Sequence, residues 1–277
     1  MTDTPAQDAP PTSPQPRRRK PPRRVTVTAV SKIAPRLVSV EVTGEELDGF
    51  AGAPPTAHLK VMLPPPGADR LLLPEQGPEG PVWSHDESLR PVMRTYTPRR
   101  YDPATKTLEL QFVLHGVGPA SEWAERVAVG DEIAVAGPGG RFAFDPAVER
   151  WWLAADESAL PAVGTLLDAL PETASAEVHV EVEGPDDEIE LPSAAKTTVT
   201  WHHRRSATAF GAELADAARS ADIADGTRTW VACEAAAMRG IRRYFTRERG
   251  LPASSLVTRG YWRIGEANHP DHDYGED

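Results

Sequence analysis

Cysteine is almost missing from this sequence: Cys233 stands alone among 277 residues. That excludes an intramolecular disulfide and fits a reducing compartment. It also excludes an iron–sulfur cluster with cysteine ligands, which usually takes four. A chain of this composition that moves electrons must borrow an organic cofactor. Long apolar runs are lacking too. None approaches the roughly 20 residues that cross a bilayer, and the N-terminus has no apolar core of a secretory leader. These absences predict a cytoplasmic protein with no membrane partner. Positive charge is short as well, and a net charge of −11 argues against nucleic acid as a general partner. The histidines give no metal-ligand pattern. His202 and His203 are adjacent and point opposite ways on a strand, and His269 and His272 lie in a polar tail with Asp271 and Asp273. No metal site is therefore assigned, and no nucleophile-elbow serine marks acyl transfer.

What is present is a chain with material for real cores, 40% hydrophobic, broken by 28 prolines and 21 glycines. One basic cluster, Arg17, Arg18, Arg19, Lys20, Arg23 and Arg24, runs against the acidic balance. It follows a Pro/Thr/Ala/Gln-rich stretch that cannot form a core. Residues 1–21 are expected to be a disordered tail, read as a solubilising arm or a binding segment.

Residues 22–146 read as short strands at 25–29, 37–42, 58–63, 92–97, 108–114 and 131–136, with one helix over 118–127 opened by Pro119. A Pro/Gly-rich segment fills residues 64–90, a length uncommon in loops unless functional or mobile. Many short strands with a single helix predict a small antiparallel β-barrel. From 147 to 277 strands at 151–155, 178–182, 198–202 and 229–233 alternate with helices at 160–170, 209–218 and 235–249, the last ended by Gly250. That alternation predicts a parallel sheet with crossover helices, which binds nucleotides at its strand ends.

Four constellations carry possible chemistry. In Arg94-Thr95-Tyr96-Thr97-Pro98-Arg99, strand alternation puts Arg94 and Tyr96 on one face and Thr95 and Thr97 on the other. An aromatic ring, a hydroxyl and two guanidinium groups suit a phosphorylated planar cofactor, or make an ordinary charged edge strand. His115-Gly116-Val117-Gly118-Pro119-Ala120-Ser121 follows a strand and opens a helix, where backbone N–H groups can approach a phosphate. It reads as a diphosphate cradle or as a tight strand–helix turn. Asp156-Glu157-Ser158 falls where the first parallel strand meets its helix, as ligand site, helix cap or both. Cys233-Glu234 occupies the equivalent strand end, where a polar group can meet a nicotinamide or a buried cysteine can pack. Near the C-terminus, Tyr261 and Trp262 beside Arg263 can cover a flat cofactor or simply pack.

Taken in order with Gly137-Pro138-Gly139-Gly140, Trp201-His202-His203-Arg204 and residues 234–239, these blocks resemble the siderophore-interacting protein family. Its members are FAD-dependent ferric-siderophore reductases of the ferredoxin-reductase superfamily, and the resemblance runs over about 24–265. It implies a flavin-binding β-barrel followed by an α/β nucleotide domain. Arg94, Tyr96 and Thr97 would hold FAD, with Tyr96 against the isoalloxazine and Thr97 near its N5. His115, Gly118, Ala120 and Ser121 would line the ribose and diphosphate, and Tyr261 and Trp262 would lie against the cofactor. Asp156, Glu157 and Ser158 would sit near the reacting end, and Tyr96, Thr97 and Asp156 would form the catalytic set. Lys60, Arg141 and Arg263 would attract the anionic ferric chelate.

The implied reaction is hydride transfer from NAD(P)H to the flavin, then single-electron reduction of Fe(III)-siderophore with release of Fe(II), by a monomer. Ala232 precedes Cys233-Glu234 where relatives often carry glycine, which loosens the nicotinamide assignment. The short polar C-terminus lacks the extra helix of ferredoxin-fed relatives, which favours a nicotinamide donor. The acidic stretch Glu183-Gly184-Pro185-Asp186-Asp187 would repel a 2′-phosphate and tips the expectation to NADH. Arg204 and Arg205 can still rescue NADPH. The rival readings are a flavin reductase feeding a redox protein or free flavin, and a non-catalytic siderophore-binding module.

Overall fold

The computed structural model describes residues 21–277 apart from 51, 69, 78–79, 141, 205–208, 271–272 and 275–277. The tail through Lys20, together with Arg141 and Arg205, lies outside the described residues. The first half is a seven-stranded sheet in which every pairing is antiparallel. Its strands are β1 (Arg23–Ala34), β2 (Leu37–Thr43), β3 (His58–Leu63), β6 (Val92–Tyr96), β7 (Pro98–Asp102), β8 (Thr107–Val113) and β9 (Glu132–Gly139), in the order β6-β3-β9-β1-β2-β8-β7. Alternation drives this layout. Val25, Val27, Val40, Val42, Leu59, Val61, Leu108, Leu110, Phe112, Ile133 and Val135 all turn to one interior. Helix α1 (Pro119–Arg126) plugs one end, with Trp123 against Phe112 at 5.2 Å between centroids.

The order leaves β6 and β7 at opposite ends of the sheet, yet a single residue, Thr97, joins them. The sheet must therefore curl until its two edges meet. The result is barrel-like, with a seam at Thr97 that carries no ladder among the described residues. The 64–90 segment forms a small hairpin of β4 (Glu75–Gly77) and β5 (Gly80–Val82). It is pinned to the outer face of β3 and β6 by Leu71, Leu73 and Trp83 against Met62 and Met93.

The second half is a five-stranded parallel sheet of β10 (Arg150–Asp156), β11 (Ser175–Val182), β12 (Lys196–His203), β13 (Arg228–Glu234) and β14 (Leu256–Trp262). Its order is β12-β11-β10-β13-β14. Trp151, Leu153 and Ala155 face α2 (Leu160–Ala169), while Trp152 and Ala154 face α3 (Ala212–Ser220) and α4 (Ala235–Arg243). Four strands, β4, β5, β7 and β14, were not foreseen from sequence. The expected helix over 235–249 is α-helical only to Arg243 and widens into a π-turn over Tyr244–Glu248.

The two sheets are locked together by side chains from both. Ala34 and Leu37 join the α2 core, and Thr56 N–H donates to Thr165 Oγ1 at 3.0 Å. Arg36 pairs with Glu183 at 3.1 Å, and its N–H donates to Asp187 Oδ1 at 3.1 Å. Arg99, read from sequence as an anion-pairing group for a cofactor, instead ion-pairs with Asp168 of α2. It lies flat on Gly164, where an added Cβ would stand 2.6 Å from Arg99 Nε. Gly164→Ala is therefore expected to push the flexible Arg99 guanidinium off the helix and away from Asp168, at a cost of about 0–1 kcal/mol in urea unfolding. Gly240→Ala, in α4 with nothing within 4 Å of the new Cβ, is the control expected to stabilise by about 0.4–1 kcal/mol.

Candidate active site

Strand order in the parallel sheet reverses between β10 and β13, the switch point where such sheets leave a crevice at their carboxyl ends. Asp156 closes β10 there, 2% exposed. Its Oδ1 accepts the Ser158 N–H at 3.0 Å and the Ser158 hydroxyl. Its Oδ2 accepts Glu234 N–H at 2.9 Å and Trp262 Nε1–H at 2.7 Å. One carboxylate thus ties together the ends of β10, β13 and β14. Burial, and then the Glu157 charge, push its pKa up to about 7 against the pull of those donors. A proton on Oδ1 is easily housed, because the Ser158 hydroxyl can turn and become the acceptor.

Glu234 caps α4, accepting Ala236 N–H at 2.7 Å and Ala237 N–H at 3.0 Å. Cys233 beside it is fully buried in the core under α4, and burial pushes its thiol well up. Glu157 faces Arg204, whose side chain is 2% exposed and pairs with Glu157, Glu181 and Glu183. The guanidinium lies 4.9 Å from the Phe210 ring, and Phe210 meets Trp262 edge-on at 4.8 Å. Arg204, named from sequence as a residue that could rescue NADPH, has its guanidinium among three carboxylates.

Across from this knot is the seam of the antiparallel sheet. Tyr96 packs on Phe112 at 4.3 Å, and burial pushes its phenol up while Arg94 pulls it down. Val92 and Tyr96 lean to the interior and Met93 to the outer face, so Arg94 shares the face of Tyr96 as the alternation predicts. Thr97, buried at the seam, lies beside the Tyr261 phenol of β14, whose pKa burial pushes up to about 12 while the Thr97 side chain pulls it down. This contact brings the seam to the carboxyl end of the parallel sheet.

The loop 114–118 is shaped by Gly116 and Gly118, at φ 74° and 86°, a region that favours glycine. The Ser121 hydroxyl is buried and accepts His115 N–H at 3.0 Å and Gly116 N–H at 3.2 Å. It therefore fastens the loop from below, and Ala120 is buried beside it. On the outer face of β3, Lys60 Nζ donates to Thr95 Oγ1 at 2.7 Å. Arg263, exposed, pairs with Glu266 at 3.7 Å.

Residues 26–142 match the profile described as siderophore-interacting FAD-binding domain, and residues 148–265 match siderophore-interacting protein. The chain belongs to the siderophore-interacting protein family. A solved siderophore utilization protein from T. fusca is similar to this family member at 32% identity with a TM-score of 0.81, over 92% of this chain and 98% of that one. The ferric vibriobactin reductase of Vibrio cholerae is 28% identical over 91% of this chain and 93% of its own length. The NADPH-dependent ferric-chelate reductase of Escherichia coli is 35% identical over 55% of this chain and 58% of its own. A ferredoxin reductase of carbazole 1,9a-dioxygenase shares the fold alone, at 14% identity and a TM-score of 0.58.

Within this siderophore-interacting protein, the residues at hand fit FAD. β6 is an edge strand with backbone groups open to a ligand, Arg94 and Tyr96 share a face, and the glycine-shaped loop opens α1. Sequence reasoning missed Arg204 as a buried hub, together with Glu181 and Phe210. The one available signal was the position of Arg204 at the end of a parallel strand.

Proposed function

We propose that this chain is an FAD-dependent, NAD(P)H-driven ferric-siderophore reductase, working as a cytoplasmic monomer. A barrel unit of 22–146 holds FAD and a nucleotide unit of 147–277 receives the coenzyme. The Thr97–Tyr261 contact carries the proposal, because it sets the flavin-side seam against the switch point of the parallel sheet. Flavin there supplies the exchange between a two-electron hydride donor and one-electron ferric acceptors. Tyr96 offers a ring face, Arg94 pairs with phosphate, and the Val117 and Gly118 backbone N–H groups, beside the two that Ser121 holds, receive the diphosphate. Ser121 shapes that loop, and Gly118 and Ala120 leave the room.

At the reacting end, Asp156 holds Trp262 and the Glu234 backbone in place and can keep a proton on Oδ1. Glu157 and Ser158 border the same crevice, and Tyr261 stands beside Thr97. Lys60, Arg141 and Arg263 draw in the anionic chelate. Glu183 and Glu157 around the committed Arg204 disfavour a 2′-phosphate, so NADH is expected to give a higher kcat/KM than NADPH in steady-state assays.

The test is a visible spectrum of the purified protein before and after anaerobic NADH, with ferric chelate and a ferrous trap added last. Bands that bleach and then recover as ferrous iron appears are expected. Bleaching without recovery on ferric chelate would move the assignment to a reductase with another acceptor. A colourless protein that cannot be reconstituted with FAD would overturn the mechanism. Tyr96→Ala is expected to weaken FAD binding about tenfold or more by fluorescence titration, a loss of roughly 1.4 kcal/mol.

A further inference from the structure

Three neighbouring strands of the parallel sheet end on an acid. Asp156 is the last residue of β10, Glu234 the last of β13, and Glu181 the last but one of β11. All three are buried. Each turns its carboxylate onto backbone N–H groups where a helix begins.

Asp156 Oδ1 accepts Ser158 N–H in the short turn Glu157–Ala159 that leads into α2, and Pro161 has no N–H to offer in the first turn of that helix. Glu181 holds the start of α3, its Oε1 accepting Gly211 N–H at 2.7 Å and its Oε2 accepting Glu213 N–H at 3.1 Å. Glu234 holds the start of α4 through the Ala236 and Ala237 N–H groups. A helix N-terminus seats a phosphate through such N–H groups and the positive end of its dipole. Here they are filled from within, and the charge turned toward an arriving phosphate is negative. Among the described residues the nearby cations are engaged as well. Arg204 lies among Glu157, Glu181 and Glu183, and Arg36 pairs with Glu183. The contrast is α1 of the flavin half, which opens on Gly118 with no side-chain cap.

We propose that the hydride donor is recognised at its dihydronicotinamide end alone. The chain then accepts truncated dihydronicotinamides, such as reduced nicotinamide mononucleotide and the uncharged reduced nicotinamide riboside, as well as NADH. This deepens the reading of the chain as an NAD(P)H-driven reductase and rests on it. The ring meets the crevice beside Tyr261 and Trp262, the latter fixed by its 2.7 Å bond to Asp156. The pyrophosphate lies outward of the acids, in water, where salt screens its charge. In the step itself the C4–H bond of the dihydropyridine breaks, the hydrogen and its electron pair pass to the flavin N5, and the ring is left as a pyridinium. A truncated donor leaves the same pyridinium, so no further reactant is needed. A part of the substrate that the protein does not hold adds nothing to the transition state, and its removal costs little.

The experiment compares NADH with the two truncated donors on the full FAD-loaded chain, by anaerobic rapid mixing. The second-order rate of flavin reduction by each truncated donor is expected to lie within about tenfold of that by NADH. A larger NADH advantage would overturn the inference and leave the reductase reading standing. ADP-ribose, which carries the pyrophosphate and adenosine without the nicotinamide, is expected to show no saturable binding by calorimetry at millimolar concentration. Saturable binding would overturn the inference too. Glu234→Gly bares the Ala236 and Ala237 N–H groups and is expected to raise the preference for NADH over the riboside by about two- to fivefold. An unchanged preference would overturn the role given to the carboxylates. A flavin that dithionite reduces and no dihydronicotinamide does would overturn both the inference and the reading beneath it.

Discussion

Arg204→Ala is expected to lower folding stability by about 3–5 kcal/mol, the usual result of removing one partner from a buried ion-pair network. The substitution leaves Glu181, fully buried, and Glu157, 17% exposed, facing each other without the cation between them. Burial already pushes the Glu181 pKa up with Arg204 present, and the hydrogen bonds from Gly211 and Glu213 N–H at the start of α3 offset only part of that. At about 2–4 °C per kcal/mol for a chain of this size, the melting temperature should fall by roughly 6–20 °C. Arg204→Lys should recover little, because a single ammonium cannot span two carboxylates as a planar fork does. Pairing Arg204→Met with Glu157→Gln should lose less than Arg204→Met alone in a double-mutant cycle. A double loss equal to the sum of the Arg204→Met and Glu157→Gln single losses would mean the two residues are not coupled.

Asp156→Ala is expected to disrupt both stability and catalysis. It strands three N–H donors, from Ser158, Glu234 and the Trp262 indole, in a buried place. Each stranded donor costs about 1–3 kcal/mol, so a loss of 3 kcal/mol or more should appear in urea unfolding. Releasing Trp262 and the end of β13 also misplaces the groups around the crevice. Rapid-mixing kinetics of flavin reduction by NADH should slow by roughly 100-fold.

The pH dependence of unfolding tests the same residue. Burial raises the Asp156 carboxyl from 3.8 to about 7, so the folded chain holds this proton more tightly than the unfolded chain. The stabilisation from that proton is full below the unfolded value, declines as pH rises, and is gone above about 7. Asp156→Asn, which cannot ionise, should flatten that part of the pH profile.

How much of this was legible beforehand depended on how locally each feature is written. Strands such as 37–42 and 108–114 were visible because one face is buried and the residues alternate accordingly. β7 and β14 were not. Both are edge strands with a single partner each, and they carry Arg99, Arg100 and Arg259 where an apolar alternation would be needed to see them. Pro98 and Gly260 interrupt the pattern further. Asp156 could be picked out because the end of the first parallel strand is a privileged place whatever surrounds it. The role of Arg204 as a hub could not, since its three carboxylate partners lie 47, 23 and 21 residues away and meet it only once the strands are side by side. Ser121 was named for the role the family resemblance gives it, while its two bonds from the His115 and Gly116 N–H groups could be seen only in the folded loop.

Thr97 carries one more consequence. Because it alone bridges the last residue of β6 and the first of β7, the Cα atoms of Tyr96 and Pro98 can never be more than about 7 Å apart, two peptide steps. The two edges are therefore pinned at that point by covalent bonds, whatever loosens in the core around it. A single residue inserted beside Thr97 would let the edges part there by about another 3.5 Å.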